Sequence, residues 1–129
     1  MRRLAIALAA CVFALAAAAA GPGSIEPKAL SERIAWADPS LLVLDVRTPE
    51  EYAAGHLPGA VNIPHGELAA RVGELEGARE GDIVVYCRTG VRAGQALEVL
   101  GKAGFTRLFH LKGDYTRWSE EKRPVVAAQ

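Results

Sequence analysis

The chain has 129 residues, and its 15 basic and 15 acidic side chains balance to a formal net charge of zero. This balance argues against a strongly basic nucleic-acid-binding protein, and nothing in the composition suggests a polybasic membrane patch. Its two cysteines, Cys11 and Cys87, are the most informative feature of the composition.

The first 20 residues have the pattern of a secretory signal peptide. Two arginines precede an apolar stretch over residues 4–15, and alanines occupy the positions before a cleavage site after Ala20. We therefore expect a periplasmic or secreted bacterial protein. A retained membrane anchor is a weaker alternative, because residues 4–20 are at the lower limit for a span. A lipoprotein site at Leu8–Cys11 is another, but it would leave a very short apolar stretch before the cysteine.

Removal of the predicted signal peptide leaves 129 − 20 = 109 residues, enough for one domain with a single core. We predict a short linker over 21–24, the domain over 25–126 and a tail over 127–129. The mature chain then has 13 basic and 15 acidic residues, a net charge of −2, and Cys87 as its one cysteine. Such a residue is either a small buried apolar side chain or a reactive thiol.

The first half of the mature chain alternates strand and helix signals. Residues 25–26 are a candidate edge strand, and residues 28–37 have helical spacing of their apolar side chains. The apolar run over 41–46 is typical of a strand buried on both faces. Thr48 then predicts the N-cap of a short helix, with Pro49 in the first turn and Glu51 three residues after the cap. A brief strand follows over 60–63.

The second half continues the alternation with helical spacing over 65–76, a β-branched strand over 83–86 and a helix over 91–103. A last strand over 107–111 and a last helix over 114–121 close the pattern. This order predicts an α/β fold of three layers, in which helices flank a central, mostly parallel five-stranded sheet.

Cys87 follows directly after a central strand, at the carboxyl end where open parallel sheets bind their ligands. The loop after it contains Arg88, Thr89, Gly90, Val91 and Arg92. Its backbone N–H groups and the first turn of the next helix can converge on the sulfur, and the two arginines add positive charge. These effects favour thiolate over thiol, so we expect an accessible, nucleophilic cysteine.

The spacing of this loop separates two chemistries. Cysteine-dependent phosphatases have five residues between cysteine and arginine, whereas Cys87 and Arg92 enclose four. A shorter loop forms a smaller cradle, which suits one sulfur atom better than a phosphate ester. The loop length therefore favours sulfur chemistry over phosphate or arsenate chemistry.

Three segments resemble the signatures of rhodanese domains, which are sulfurtransferases. They are LLVLDVRTPEEYAAGHLPGAVNIP at 41–64, VVYCRTGVRAGQALEVL at 84–100 and the closing LKGDYTRWSEEKRPV at 111–125. The resemblance covers roughly residues 25–126 and is greatest for the single-domain exported type known as phage shock protein E. At the position where the family usually has a glycine this chain has Lys112, which either adds charge near the rim of the site or faces solvent.

The resemblance implies that Cys87 takes a sulfur atom from a donor such as thiosulfate and holds it as a persulfide. A thiol or cyanide acceptor then removes that sulfur. Arg88 or Arg92 would hold the anionic part of the donor, with Arg92 the better placed. Asp45 and Arg47 match the family's Asp-x-Arg, and they either contact the active loop or pair locally.

The implied partners are a small sulfur-containing anion and its acceptor, with no cofactor, no metal and no nucleic acid. Stable membrane association is not expected after signal cleavage. The alternative is a persulfide carrier or binding module that serves a protein partner. Among the remaining residues, we expect a structural role for His56, capping and surface roles for Glu50 and Glu51, and packing in the core or in a groove for Trp36 and Trp118.

Overall fold

The computed structural model describes residues 21–128, so the predicted signal peptide and Cys11 lie outside the described residues. Five strands form one sheet in the order β1-β5-β4-β2-β3, and each neighbouring pair is parallel. The strands are β1 (Gly23–Ile25), β2 (Leu41–Asp45), β3 (Val61–Asn62), β4 (Asp82–Tyr86) and β5 (Leu108–Leu111). The predicted α/β fold with a five-stranded parallel sheet is confirmed.

Helices cover both faces of this sheet. They are α1 (Pro27–Ala35), α2 (Pro49–Ala54), α3 (Leu68–Arg71), α4 (Val91–Lys102) and α5 (Asp114–Glu120). None of the helices within residues 21–128 is long and apolar enough to cross a membrane.

The single helix predicted over 65–76 is wrong in its details. The structure has a short α3 between two 3-10 segments, His65–Glu67 and Val72–Ala78. Glycines at positions 66 and 73 explain the difference, because each glycine costs a helix interior about 1 kcal/mol relative to alanine. The apolar periodicity survives, and Leu68 and Leu75 are buried.

The predicted start of α2 is confirmed. The Glu51 N–H donates to Thr48 Oγ1 at 3.2 Å, and the Thr48 N–H donates to Glu51 Oε1 at 3.3 Å. This capping box places Pro49 in the first turn, where its missing N–H is not needed. The side chain of Glu51 is thereby fixed at the carboxyl-terminal edge of the sheet.

Side chains of β4 alternate between two hydrophobic cores. Ile83 and Val85 pack on the side covered by α3 and α4, and Val84 and Tyr86 pack on the side that contains Leu30 of α1. Such alternation follows from the two-residue period of a strand. Because both faces of β4 are covered, only the end of the strand is left for a binding site.

The two tryptophans differ in environment. Trp118 of α5 is buried in the second core at 1% exposure, as predicted, and its Nε1 donates to Pro124 O at 2.8 Å. Trp36 is 78% exposed, so the prediction that it packs in a core or groove is wrong. It lies at the C-cap of α1, where the helix has already ended and Ala37 turns the chain with φ of 52°.

Candidate active site

Cys87 lies immediately after β4 and continues its alternation. Its side chain packs in the same core as Val85 and Ala93, and the residue is only 1% exposed. The expectation of an accessible thiol is therefore wrong. The pleat of β4 turns this side chain toward α4, and the loop that follows folds over it.

Within residues 21–128, one backbone amide of that loop donates a hydrogen bond to the sulfur. The Gly90 N–H donates to Cys87 Sγ at 2.9 Å. Gly90 has φ of 119° and is the N-cap of α4, and the Gly94 N–H donates back to its carbonyl at 2.9 Å. A residue with a Cβ rarely adopts this backbone conformation, so the glycine is what allows the amide to point at the sulfur.

The side chains of the predicted loop differ in their exposure and in their ionic contacts. Arg88, Thr89 and Val91 are exposed, and Val91 is 72% exposed at the start of α4. Within residues 21–128, the Arg88 guanidinium has no ion pair. Arg88 therefore offers an exposed positive charge on the residue that follows Cys87.

Arg92 instead forms an ion pair with Glu51 of α2. Its Nη1 lies 2.6 Å from Glu51 Oε1, and its Nη2 lies 3.1 Å from Oε2. The bond from the Arg92 guanidinium, helped by the capping contact with Thr48, outweighs the opposing effect of burial and lowers the pKa of Glu51 to about 2. Glu51 thus has a capping role, as predicted, and also an ionic contact that the sequence did not indicate.

A pocket of about 420 Å³ opens beside Arg88. Its wall includes Arg47, Glu51, Tyr115 and Thr116. The chain of α5 is fixed against the active loop, because the Tyr115 N–H donates to Cys87 O at 3.0 Å and Thr116 Oγ1 donates to the Arg88 carbonyl at 2.9 Å. The wall of the pocket is therefore joined to the backbone of the active loop.

Asp45 and Arg47 pair with each other beneath this pocket. Arg47 Nη2 donates to Asp45 Oδ2 at 2.6 Å and to Gly55 O at 2.7 Å. Tyr86 Oη donates to the same carboxylate oxygen at 2.6 Å, and burial raises the pKa of that phenol well above its ordinary value. The pair thus shapes the end of the sheet, while Arg47 also lies 4.1 Å from the ring centre of Tyr115 in the pocket wall.

Two further residues contact the active loop, and the sequence did not identify them. Asp114 accepts the Cys87 N–H at Oδ1, at 3.0 Å, and is 2% exposed. His110 Nε2 lies 2.9 Å and 3.0 Å from the two oxygens of that carboxylate, and this bond raises the pKa of His110. The four-residue spacing of His110 and Asp114 across the end of β5 is the sequence feature that could have identified this pair.

The remaining polar residues lie away from the sulfur. His56 has the predicted structural role, since its Nδ1 lies 2.8 Å from Tyr52 O and its ring stacks on Tyr52 at 3.6 Å. Lys112 is half-exposed and pairs with Glu26 at 3.2 Å. Over the described part of the chain, no group of three His, Cys, Asp or Glu side chains is arranged to hold a metal ion.

Comparison with known proteins gives consistent matches. The family model described as Rhodanese-like domain matches residues 26–121. A protein of Allochromatium vinosum named Sulfurtransferase is 36% identical over 105 residues, which cover 81% of this chain and 95% of that protein. Thiosulfate sulfurtransferase PspE of Escherichia coli is 37% identical over 70 residues, covering 54% of this chain and 67% of that protein.

A solved structure has a similar fold. The crystal structure of a rhodanese-related protein from Thermoplasma volcanium superposes with a TM-score of 0.70 and 35% sequence identity. The match covers 81% of this chain and 97% of that one.

Proposed function

The chain belongs to the family of rhodanese-like domains, and we propose that it transfers sulfur through a persulfide on Cys87. Sulfur transfer in general is supported by its sulfurtransferase relatives. The observation that carries the proposal is the Gly90 N–H donating to the sulfur at the end of β4. An amide aimed at a sulfur atom stabilises negative charge there, both on a thiolate and on a persulfide.

In the first half of the reaction, the Cys87 thiolate attacks the outer sulfur of thiosulfate. The sulfur–sulfur bond of the donor breaks, and sulfite leaves with its electron pair. Cys87 then carries one additional sulfur as a persulfide anion. Splitting the transfer into two displacements is the ordinary advantage of a covalent intermediate.

The anionic end of the donor is held by Arg88 in this proposal. Arg88 follows Cys87 directly and lines the pocket, whereas Arg92 already donates to both carboxylate oxygens of Glu51. The preference for Arg92 that the sequence suggested is therefore replaced by a preference for Arg88. Arg92 keeps an indirect role, because it anchors the first turn of α4 behind the sulfur.

In the second half, a thiolate or cyanide attacks the outer sulfur of the persulfide. The bond between the two sulfur atoms breaks, the acceptor leaves with the transferred sulfur, and Cys87 returns to thiolate. The sulfur that Cys87 regains is itself buried, since the residue is 1% exposed. This burial limits attack by water or oxidants on the inner sulfur.

The test is turnover of thiosulfate and cyanide by the full chain. We expect equal amounts of sulfite and thiocyanate, and none of either from Cys87→Ser. Arg88→Ala should raise KM for thiosulfate about tenfold, equivalent to about 1.4 kcal/mol of binding, with a smaller change in kcat. Arg107→Ala is the matched control, because Arg107 is an exposed arginine that pairs with Asp82 at the opposite end of the sheet.

The outcomes separate the alternatives. No reaction of an intact thiol with thiosulfate would contradict the proposal. An unchanged KM in Arg88→Ala would contradict the assignment of Arg88 alone. Release of one sulfite per protein without thiocyanate would favour the persulfide carrier that serves a protein partner.

A further inference from the structure

Asp114 has an unusual backbone for a buried aspartate. It is the first residue of α5, is 2% exposed and has φ of 55°. A left-handed conformation is unfavourable for a residue with a Cβ, although aspartate tolerates it better than most. A glycine would adopt it freely, so the contacts of the carboxylate are the feature that distinguishes aspartate here.

Those contacts join Asp114 to the active loop. Asp114 Oδ1 accepts the Cys87 N–H at 3.0 Å, and His110 Nε2 lies within 3.0 Å of both oxygens. A Cβ built on Gly90 would lie 3.1 Å from Asp114 Oδ2 and 3.4 Å from His110 Cε1. Gly90, whose amide donates to the sulfur, therefore packs against the pair formed by His110 and Asp114.

The charge of this pair matters for a sulfur anion. A carboxylate close to the sulfur opposes a negative charge on it, because little water separates them. A protonated His110 cancels that carboxylate charge, and its bond to Asp114 favours the protonated form. The 32% exposure of the His110 side chain leaves a path for proton exchange with solvent.

Other charged groups near the loop are already balanced or exposed. Arg92 on α4 is paired with Glu51 of α2. Arg88 is exposed on the loop itself. His110 is thus the group whose protonation decides whether the Asp114 charge acts on the sulfur.

We propose that His110 is a positioning residue for the chemistry of Cys87. Through Asp114 it holds the main chain at Cys87, and it cancels the carboxylate charge beside the sulfur anion. The consequence of this positioning role for sulfur transfer rests on the proposed function. The effect of His110 on ionisation of the Cys87 thiol does not, because that effect needs no sulfur donor.

The experiment is a pH titration of the ultraviolet absorbance of the thiolate in the full chain. The same titration of Cys87→Ser is subtracted, which removes the contribution of Cys11. His110→Asn leaves the carboxylate uncompensated, so the midpoint for Cys87 should rise by about 0.5–1 pH unit. In the double variant His110→Asn/Asp114→Gly, the midpoint should return to the wild-type value or below it.

Three controls make the result specific. Asp114→Gly alone should fold, since glycine adopts the required backbone, and its midpoint should not exceed that of the wild type. Asp82→Asn removes a carboxylate at the other end of β4, about 16 Å away, and should leave the midpoint unchanged. Circular dichroism checks the fold, and if His110→Asn does not fold, His110→Gln carries the same prediction.

The inference is overturned if folded His110→Asn titrates like the wild type. It is also overturned if the double variant keeps the shift, because the effect would then not act through Asp114. The sulfur-transfer rate of His110→Asn should be lower than that of the wild type on the acid side of the profile and should match it at high pH, with the pH–rate profile displaced upward by the same shift of about 0.5–1 pH unit. If the wild type transfers no sulfur, the proposed function fails while the titration still decides this inference.

Discussion

At the scale of single residues, the site depends on main-chain geometry more than on exposed side chains. The sulfur of Cys87 receives the N–H of Gly90, and the N–H of Cys87 is itself fixed by Asp114. Thr89 and Val91 are exposed. Their contribution to the loop is the backbone that they provide.

Gly90→Ala tests this dependence on the main chain. The substitution should lower the free energy of unfolding by about 1–3 kcal/mol, because alanine is strained at a φ of 119° and its Cβ would crowd Asp114. Sulfur transfer should fall at least tenfold, since relief of the strain turns the amide away from Cys87 Sγ. Urea unfolding and the thiocyanate assay give the two quantities.

Gly94→Ala is the matched control for that substitution. Gly94 lies inside α4, and a Cβ there meets nothing within 4 Å. Alanine should therefore stabilise the helix by about 0.5–1 kcal/mol and leave transfer unchanged. Equal losses of activity in the two variants would contradict a special role for the backbone at Gly90.

At the scale of elements, β4 carries the cysteine and its neighbours hold the loop in place. The alternation of β4 sends Cys87 toward α4 and Tyr86 toward the opposite face. Tyr86 then joins two other segments, donating to Asp45 of β2 and accepting the Leu57 N–H at 3.1 Å. The ion pair between Arg92 and Glu51 links α4 to α2 across the same edge of the sheet.

The ion pair between α2 and α4 predicts a pH-dependent stability. The pKa of Glu51 is lowered from 4.5 in the unfolded chain to about 2 in the fold. Its stabilising contribution is therefore fully present above about pH 4.5 and is lost as the pH falls toward 2. At neutral pH, Glu51→Gln should lower the free energy of unfolding by about 1–2 kcal/mol, a value reduced for the partial exposure of the pair.

Urea unfolding of Glu51→Gln and wild type across pH 2–7 measures this contribution. The difference between them should shrink steadily below pH 4.5. Glu50→Gln is the control, because Glu50 is an exposed neighbour on the same first turn of α2. A difference that stays constant down to pH 2, or that Glu50→Gln reproduces, would show that the ion pair is not its source.

At the scale of the whole molecule, the sequence predicted the layers of the fold because its signals are local and periodic. The apolar runs that became β2 and β4 indicate buried parallel strands, and the capping residues at Thr48 indicate where α2 begins. The predictions of a single helix over 65–76 and of a packed Trp36 were wrong. Glycine content interrupts the helix, and the final packing leaves Trp36 exposed.

The candidate site could be predicted only in part from the sequence. Cys87 and its loop are contiguous, so their position after a strand was visible. The contacts of Glu51 with Arg92, and of Asp114 with Cys87, join residues that are 41 and 27 positions apart. Such contacts depend on the order of the strands, and the burial of the thiol depends on which face of β4 it follows.

The central claim is that Cys87 carries a transferred sulfur atom. The most direct test is the intact mass of the full chain after incubation with thiosulfate and removal of the excess donor. We expect a gain of one sulfur atom, located on Cys87 by fragmentation, lost on addition of cyanide and absent from Cys87→Ser. An unchanged mass in a folded protein whose Cys87 thiol is intact would contradict the claim.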